Sequence, residues 1–386
     1  MSVYLDNAAS TCVRPEVVEA MLPHFHKYYA NPSSHHAAGV CVHETLEMSR
    51  GLISAAVNSE PDELFFTSGG TESDHLAILG ASLLAPADRR HIIVSAIEHQ
   101  AVLRAAEQLS KNGFSLTILN PDSDGIVHAE EVIAAIRPDT LLVSIMAANN
   151  EVGTIQPLEK ISAVLKPRGI VFHSDAVQAF GKIHLDIRKL GVDLMSLSAH
   201  KLHGPKGIGA LFVRRGVRLK AVLPGGGQEN GLRSGTENIP AIAGFAKAVE
   251  LATTNLDQAS VKVRNLRNRL ETSILAELPG TKLATRSGER SPFIANILFP
   301  MVDNSYLLNQ LDAAGVYVTS GSACASHSLE PSHVLLAMGV SENLARSAIR
   351  FSLSIFTTEE EINYALNRLI EIVKPFAIQQ NSGTIA

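Results

Sequence analysis

The sequence predicts an α/β fold, with a mostly parallel sheet covered by helices in a large domain and a smaller α+β domain joined to it. Three observations carry this expectation. The chain has 386 residues, more than one ordinary domain of roughly 100–200 residues. Between residues 60 and 215, short apolar runs alternate with amphipathic segments, as strands alternate with covering helices. After Gly235 the pattern becomes helical and then mixed.

Taken in order, residues 64–67, 91–95, 141–146, 170–174, 194–198 and 210–213 read as strands. They are short and apolar nearly throughout, as strands covered on both faces must be. Residues 239–252 read as a helix. A longer amphipathic helix follows at 257–278, with Val263, Leu266, Leu270 and Ile274 on one stripe. Strands are expected at 294–299 and 349–353. A final helix opens at Thr357 and Glu360, a capping-box spacing ahead of Ile362, Ala365, Leu366 and Leu369. The boundary falls near Asn255, dividing the chain into a large domain of residues 15–255 and a small one of residues 1–14 and 256–386.

Composition bounds the function. With 46% hydrophobic and 18% charged residues the chain can bury a large core. A net charge of −5 supplies no field to draw in nucleic acid or an anionic membrane. Basic stretches at 214–220 and 262–269 read as solvated faces. The start MSVYLDNAAS lacks the basic and apolar regions of a signal peptide, and no apolar run reaches the ~18 residues of a membrane span, so cytoplasm is expected. Three widely spaced cysteines, Cys12, Cys41 and Cys324, argue against a disulfide framework. His35, His36, Cys41 and His43 fit no structural zinc spacing, so no metal is expected. Cys12 reads as structural.

Ligands of open parallel sheets sit beyond the carboxyl ends of the strands, and here those positions are polar. Residues 64–67 are followed by Ser68, Gly69, Gly70, Thr71 and Glu72 and then a helix, which offers free backbone N–H groups and a hydroxyl to a phosphate. The chain contains neither a P-loop nor G-x-G-x-x-G, so a nucleotide loses ground. One strand ends in Asp175, and the next in Ser198, Ala199, His200 and Lys201. A lysine forms an imine with an aldehyde. An aspartate beside a pyridine nitrogen keeps it protonated and makes the ring an electron sink. Singly, Asp175 reads as a helix cap and Lys201 as a surface charge; together they point to pyridoxal 5'-phosphate (PLP). Glu98 and His99 after one strand, and Asn149, Asn150 and Glu151 after another, bring polar groups to four neighbouring strand ends.

These residues resemble the cysteine desulfurases of the class V aminotransferase group, long-loop subclass, over nearly the whole chain. The resemblance is carried by YLDNAAST at Tyr4, NPSSHH at Asn31, FTSGGTES at Phe66, EHQAVL at Glu98, NNEVGTIQP at Asn149, HSDAVQ at His173 and SAHKLHGPKG at Ser198. GGGQENGLRSGTEN at Gly225, SGSACASHSLEPSH at Ser320 and RFSL at Arg350 complete it. It implies PLP fold type I, with a seven-stranded sheet in the large domain and a catalytic cysteine loop in the small one. It implies that Lys201 holds PLP, Asp175 pairs with the pyridine nitrogen, Gln178 bonds the ring oxygen and His99 stacks on the ring. Gly70, Thr71, Ser198 and His200 would hold the phosphate, with Thr236 of a second subunit in a homodimer. Asn150 and Arg350 would take the carboxylate of L-cysteine, for which a guanidinium is a matched fork.

The implied reaction converts L-cysteine to L-alanine. Lys201 or His99 takes the α-proton, and Cys324 receives the sulfur as a persulfide for an acceptor protein or thiol, as in iron–sulfur cluster assembly. The small residues around Cys324 suit an accessible thiol. A selenocysteine lyase of the same fold, or a sulfur-relay scaffold without catalysis, are the rival readings. The sequence departs from the family pattern at Asn230, His327 and the pair Ser354 and Ile355, none of which touches the implied chemistry.

Overall fold

The computed structural model describes residues 1–286, 288–321 and 330–382. In chain order the strands are β1 (Val3–Tyr4), β2 (Leu64–Thr67), β3 (His91–Ser95), β4 (Ser115–Leu119), β5 (Thr140–Ser144) and β6 (Val171–Asp175). They continue as β7 (Leu194–Ser198), β8 (Gly209–Val213), β9 (Lys282–Leu283), β10 (Ile294–Leu298), β11 (Val316–Tyr317) and β12 (Ala348–Ser352). Seven form one sheet in the order β2-β8-β7-β6-β5-β3-β4. β4, β3, β5, β6 and β7 are joined by parallel ladders, while β8 runs antiparallel to both β7 and β2. Two reversals restore direction, so β2 points the same way as β7. The carboxyl ends of β2, β3, β5, β6 and β7 therefore share one edge.

The expected mostly parallel sheet is present, with small shifts. The run expected at 141–146 forms β5 at Thr140–Ser144, and the one at 170–174 extends to Asp175. β4 was not anticipated: it is an edge strand, Ile118 stays exposed, and alternation with one face in water blurs its apolar run. Every residue of β3, β5, β7 and β8 is buried. Phe172 and Phe212 are fully buried in one apolar cluster that also takes in Val17, Leu158 and Phe245. Each such side chain contributes about 1.5–3 kcal/mol through removal from water.

Beyond helix Ile239–Thr254, helix Leu256–Glu277 lays Val263, Leu266, Leu270 and Ile274 into a second cluster with Ile297, Phe351 and Leu369. Val3 and Leu5, from the opposite end of the chain, pack there too, because β1 pairs with β11 and Asp6 bridges Ser352. β12, β10 and β9 form an antiparallel sheet.

The last helix, Glu359–Ser382, is capped one residue later than the spacing suggested. Thr358 Oγ1 accepts from Glu361 N, and Glu361 Oε2 accepts from Thr358 N, at 3.2 and 2.9 Å. Thr357 instead accepts from Ser354 N and is buried. The stretch 262–269 is likewise not wholly solvated. Arg267 is buried, donates to Ser291 O and lies 3.9 Å from Glu271; burial and then the cation of Arg290 bring it down to about 10. No helix among the described residues is long and apolar enough to cross a membrane.

Candidate active site

The turn from β2 into helix Gly70–Ser82 requires glycine for two reasons. Gly69 has φ +152°, a conformation that side chains resist, and a Cβ on Gly70 would come within 2.7 Å of Val177 Cγ2. The turn is closed by Thr67 Oγ1 against Ser73 Oγ at 2.7 Å and by Ser68 N donating to Glu72 Oε2 at 2.6 Å. The first N–H groups of this thirteen-residue helix and the Thr71 hydroxyl face a cavity of about 430 Å³ that Ser198 and His200 also line. A helix N-terminus with hydroxyls beside it suits a phosphate. His200 Nδ1 lies 3.3 Å from Ser10 Oγ. Burial, and then Lys201 and Lys206, lower the imidazole to about 4.

Asp175 closes the floor of the same cavity. It is buried, and Oδ1 accepts from Val177 N at 2.9 Å. Polar atoms of Asp175, Asp74 and His99 all lie within 4.8 Å of one another. Asp74 was not singled out in the sequence, where its only signal is a place three residues after Thr71 on the same helix. Burial and the neighbouring Asp175 raise the Asp74 carboxyl well above its usual range, and burial raises Asp175 as well. Among the described residues, Asp74 Oδ1 is buried without a hydrogen-bond partner. Behind it, His173 is held neutral by burial, at about 3, between Ser144 Oγ (2.8 Å) and Ser196 Oγ (3.0 Å).

His99 precedes helix Gln100–Lys111, and its Nδ1 caps Ala101 N at 3.2 Å, which presents the ring to the cavity. Its neighbour Glu98 points away, with Oε1 accepting from Ser95 Oγ and Met146 N. Burial pushes Glu98 up to about 8. Gln178 Nε2 donates to Ala8 O at 2.8 Å.

Lys201 ends a 3₁₀ turn that leaves β7, and its Nζ donates to Ala8 O and Ala9 O at 2.6 and 2.7 Å. The amine is thus held at the cavity by the N-terminal segment, a contact between residues 192 and 193 positions apart. Arg350, on β12, reaches the cavity from the opposite side. Its Nη2 donates to Asp6 Oδ1 at 2.8 Å and its Nη1 to Asn150 O at 2.9 Å, while Nε is buried with no hydrogen-bond partner among the described residues. A buried guanidinium with a donor to spare is matched to a carboxylate. His333 completes this wall by donating to Glu98 O at 3.1 Å, a residue the sequence reading gave no role.

The fold thus brings Gly70, Thr71, His99, Asn150, Asp175, Gln178, Ser198, His200, Lys201 and Arg350 to one cavity. A pyridine aldehyde with a phosphate fits this donor set: an amine for the aldehyde, a buried carboxylate for the ring nitrogen, an amide for the ring oxygen and a helix N-terminus for the phosphate. The unpartnered Asp74 Oδ1 lies in the same lining. Thr236 does not join them within one chain; it is exposed and lines a separate cavity with Ser68 and Arg233. Asn149 is inside the protein, where its Oδ1 accepts from Glu151 N and Val152 N. Cys324 and His327 lie outside the described residues. Cys12, read as structural, is exposed, with Sγ 3.7 Å from His203 Nδ1. His36 caps helix Ala37–Ala55 through Nδ1, and Cys41 is exposed. Asn230 adopts φ +54°, which asparagine tolerates better than most residues.

Residues 3–365 match the aminotransferase class-V family. The chain is 43% identical over 374 residues to a cysteine desulfurase IscS of Clostridium botulinum, covering 96% of this chain and 94% of that protein. Among solved structures it resembles a NifS-like protein with a TM-score of 0.91 at 40% identity, over 97% of this chain and 100% of that one. It also resembles SspA in complex with cysteine, with a TM-score of 0.82 at 35% identity, over 92% of this chain and 100% of the other.

Proposed function

The chain belongs to the class-V aminotransferase family and, within it, to the PLP-dependent cysteine desulfurases, and from that premise we propose how its residues divide the work of moving sulfur out of L-cysteine. The observation that carries the assignment is the single cavity in which the Lys201 amine, the Asp175 carboxylate, the helix N-terminus at Gly70 and Thr71, and the Arg350 guanidinium converge.

Lys201, Asp175, Gln178 and His99 hold PLP by its aldehyde, ring nitrogen, ring oxygen and ring face, and Gly70, Thr71, Ser198 and His200 hold its phosphate. The bound cofactor supplies an electron sink for charge that develops at the substrate α-carbon. Arg350 orients L-cysteine through its carboxylate, with Asn150 beside it; the buried, unpartnered Nε supports this role. Lys201 moves the α-proton, and its fixed place between the Ala8 and Ala9 carbonyls keeps the amine in reach. His99, the second candidate base, is oriented by its cap on Ala101. The Cys324 thiolate attacks the substrate sulfur: an S–S bond forms as the Cβ–S bond breaks. The electron pair of the broken bond stays with Cβ, which takes up the proton given up by the substrate thiol. The α-proton held by Lys201 returns to Cα, leaving a persulfide on the enzyme and L-alanine as product.

The working unit is a homodimer in which Thr236 of a second copy completes the phosphate site. Its exposure, and its absence from the lining of the cavity of its own chain, support this, as do the exposed Phe25 and Met48 on helices that pack on helix Ile239–Thr254. The persulfide is delivered to an acceptor protein or thiol in the cytoplasm, with iron–sulfur assembly among the recipients. Mass spectrometry after exposure to L-cysteine tests the scheme. One added sulfur is expected on the peptide containing Cys324, while Cys324→Ala protein keeps the cofactor colour and loses alanine formation. Undiminished alanine and free sulfide from that variant would replace the persulfide route with direct elimination.

A further inference from the structure

Gly181 turns the chain after β6 with φ +70°, and the next side chain, Lys182, is 6% exposed. Burying an ammonium is costly unless the group is paired. The charges acting on Lys182 are those of Lys201 and Arg350, both of its own sign; burial first and these cations second lower it to about 7. Its Nζ donates to Gln178 Oε1 at 2.7 Å and stands 5.9 Å from the Phe293 ring. A second cavity, of about 150 Å³, is lined by both Lys182 and Lys201, so the two amines border a common space.

Gln178 is therefore gripped at both ends. Its Oε1 receives the Lys182 ammonium, and its Nε2 donates to Ala8 O, the same carbonyl that accepts from Lys201 Nζ. In its ammonium form Lys182 has only donors, so it then admits only the amide oxygen as its neighbour. The amide cannot flip without setting donor against donor, and its second N–H remains for the cavity. The other charged or titratable groups around Lys182 are His200 and His203 after β7 and Arg14 ahead of helix Pro15–Met21; of the nearest acids, Asp175 ends β6 and lines the other cavity, and Asp6 is paired with Arg350 at 2.8 Å.

We propose that Lys182 is a positioning residue of the cofactor site, which fixes the Gln178 amide with an N–H toward the cofactor and sets the positive potential felt by the Lys201 nitrogen. This rests on the reading of Lys201 as the anchor of PLP. A like charge nearby disfavours a proton on that nitrogen. Removing the Lys182 charge lets the lysine-bound cofactor keep its proton to higher pH.

The test is a spectrophotometric pH titration of purified holoenzyme as wild type, Lys182→Met and Lys182→Arg. In Lys182→Met the midpoint of the visible absorbance change moves up by as much as about one pH unit, and Lys182→Arg stays close to the wild type. A Lys182→Met midpoint equal to that of the wild type overturns the proposal, as does an equal upward shift in both variants. If Lys182→Met fails to fold by circular dichroism, Lys182→Gln, neutral and polar, is read by the same criterion. Failure of the underlying reading looks different: the wild type would then show no such band, or Lys201→Ala would retain it.

Discussion

The two walls of the active cavity answer burial in opposite ways. On the floor, formed by β6 and helix Gly70–Ser82, the carboxyls of Asp74 and Asp175 are pushed up, and Glu98 behind them rises to about 8. On the side nearest the N-terminal segment, His200 falls to about 4, and Lys182, in the lining of the adjoining smaller cavity, falls to about 7. Desolvation is the first cause in each case, because water stabilises charge of either sign. What distinguishes the walls is their neighbours. The acids crowd other acids, and the bases crowd Lys201. The fold thus concentrates weakly charged groups where a ligand with its own phosphate and ring charges is to be held.

The largest expected effect comes from removing the amine proposed to anchor the cofactor. Lys201→Ala should lower alanine formation by roughly 10²–10⁴-fold and abolish the borohydride-reducible lysine adduct; an adduct that persists would move the anchor elsewhere. Next is the contrast inside the acid pair. Asp175→Asn should cost roughly 10²-fold in kcat, since it removes the charge aimed at the ring nitrogen. Asp74→Asn should cost much less, because burial and the neighbouring Asp175 already disfavour charge on Asp74 and no ring nitrogen is assigned to it. Equal losses would break the distinction between them.

Arg350→Lys should raise KM for L-cysteine by roughly ten- to a hundredfold, the worth of a charge-assisted fork, with a smaller change in kcat. The smallest effect is on stability. Glu98 is raised in the folded state from 4.5 to about 8, so its contribution is full below pH 4.5 and is lost as pH rises through about 8. Lys182 is lowered from 10.5 to about 7, so its contribution is present above 10.5 and is lost as pH falls through about 7. Melting temperatures across this range should therefore fall less toward alkaline pH in Glu98→Gln than in the wild type.

Much of the site was legible before folding, because function concentrates at strand ends and strands announce themselves when both faces are apolar. β3 and β7 matched their expected limits, and so the polar residues just beyond them were in view. β4 escaped because one of its faces meets water, and Thr358 rather than Thr357 became the helix cap because Thr357 was drawn inward to Ser354. Asp74 and Lys182 gave little sign of their place. Each lies mid-segment, three or four residues from a recognised position, among residues that read as ordinary helix or turn.

The sequence by itself determined the α/β class, the family, the cofactor and which strand ends carry the polar side chains that line the cavity, since apolar periodicity, glycine turns and ordered motifs are local properties of the chain. Only the tertiary structure decided how those side chains are charged and aimed. The Lys201 amine is steered by carbonyls 192 and 193 residues away, Arg350 is held by Asp6 from 344 residues away, and Lys182 orients Gln178. The physical reason is that desolvation and Coulomb interactions depend on what surrounds a group in space, and the chain's order does not specify those surroundings until it folds.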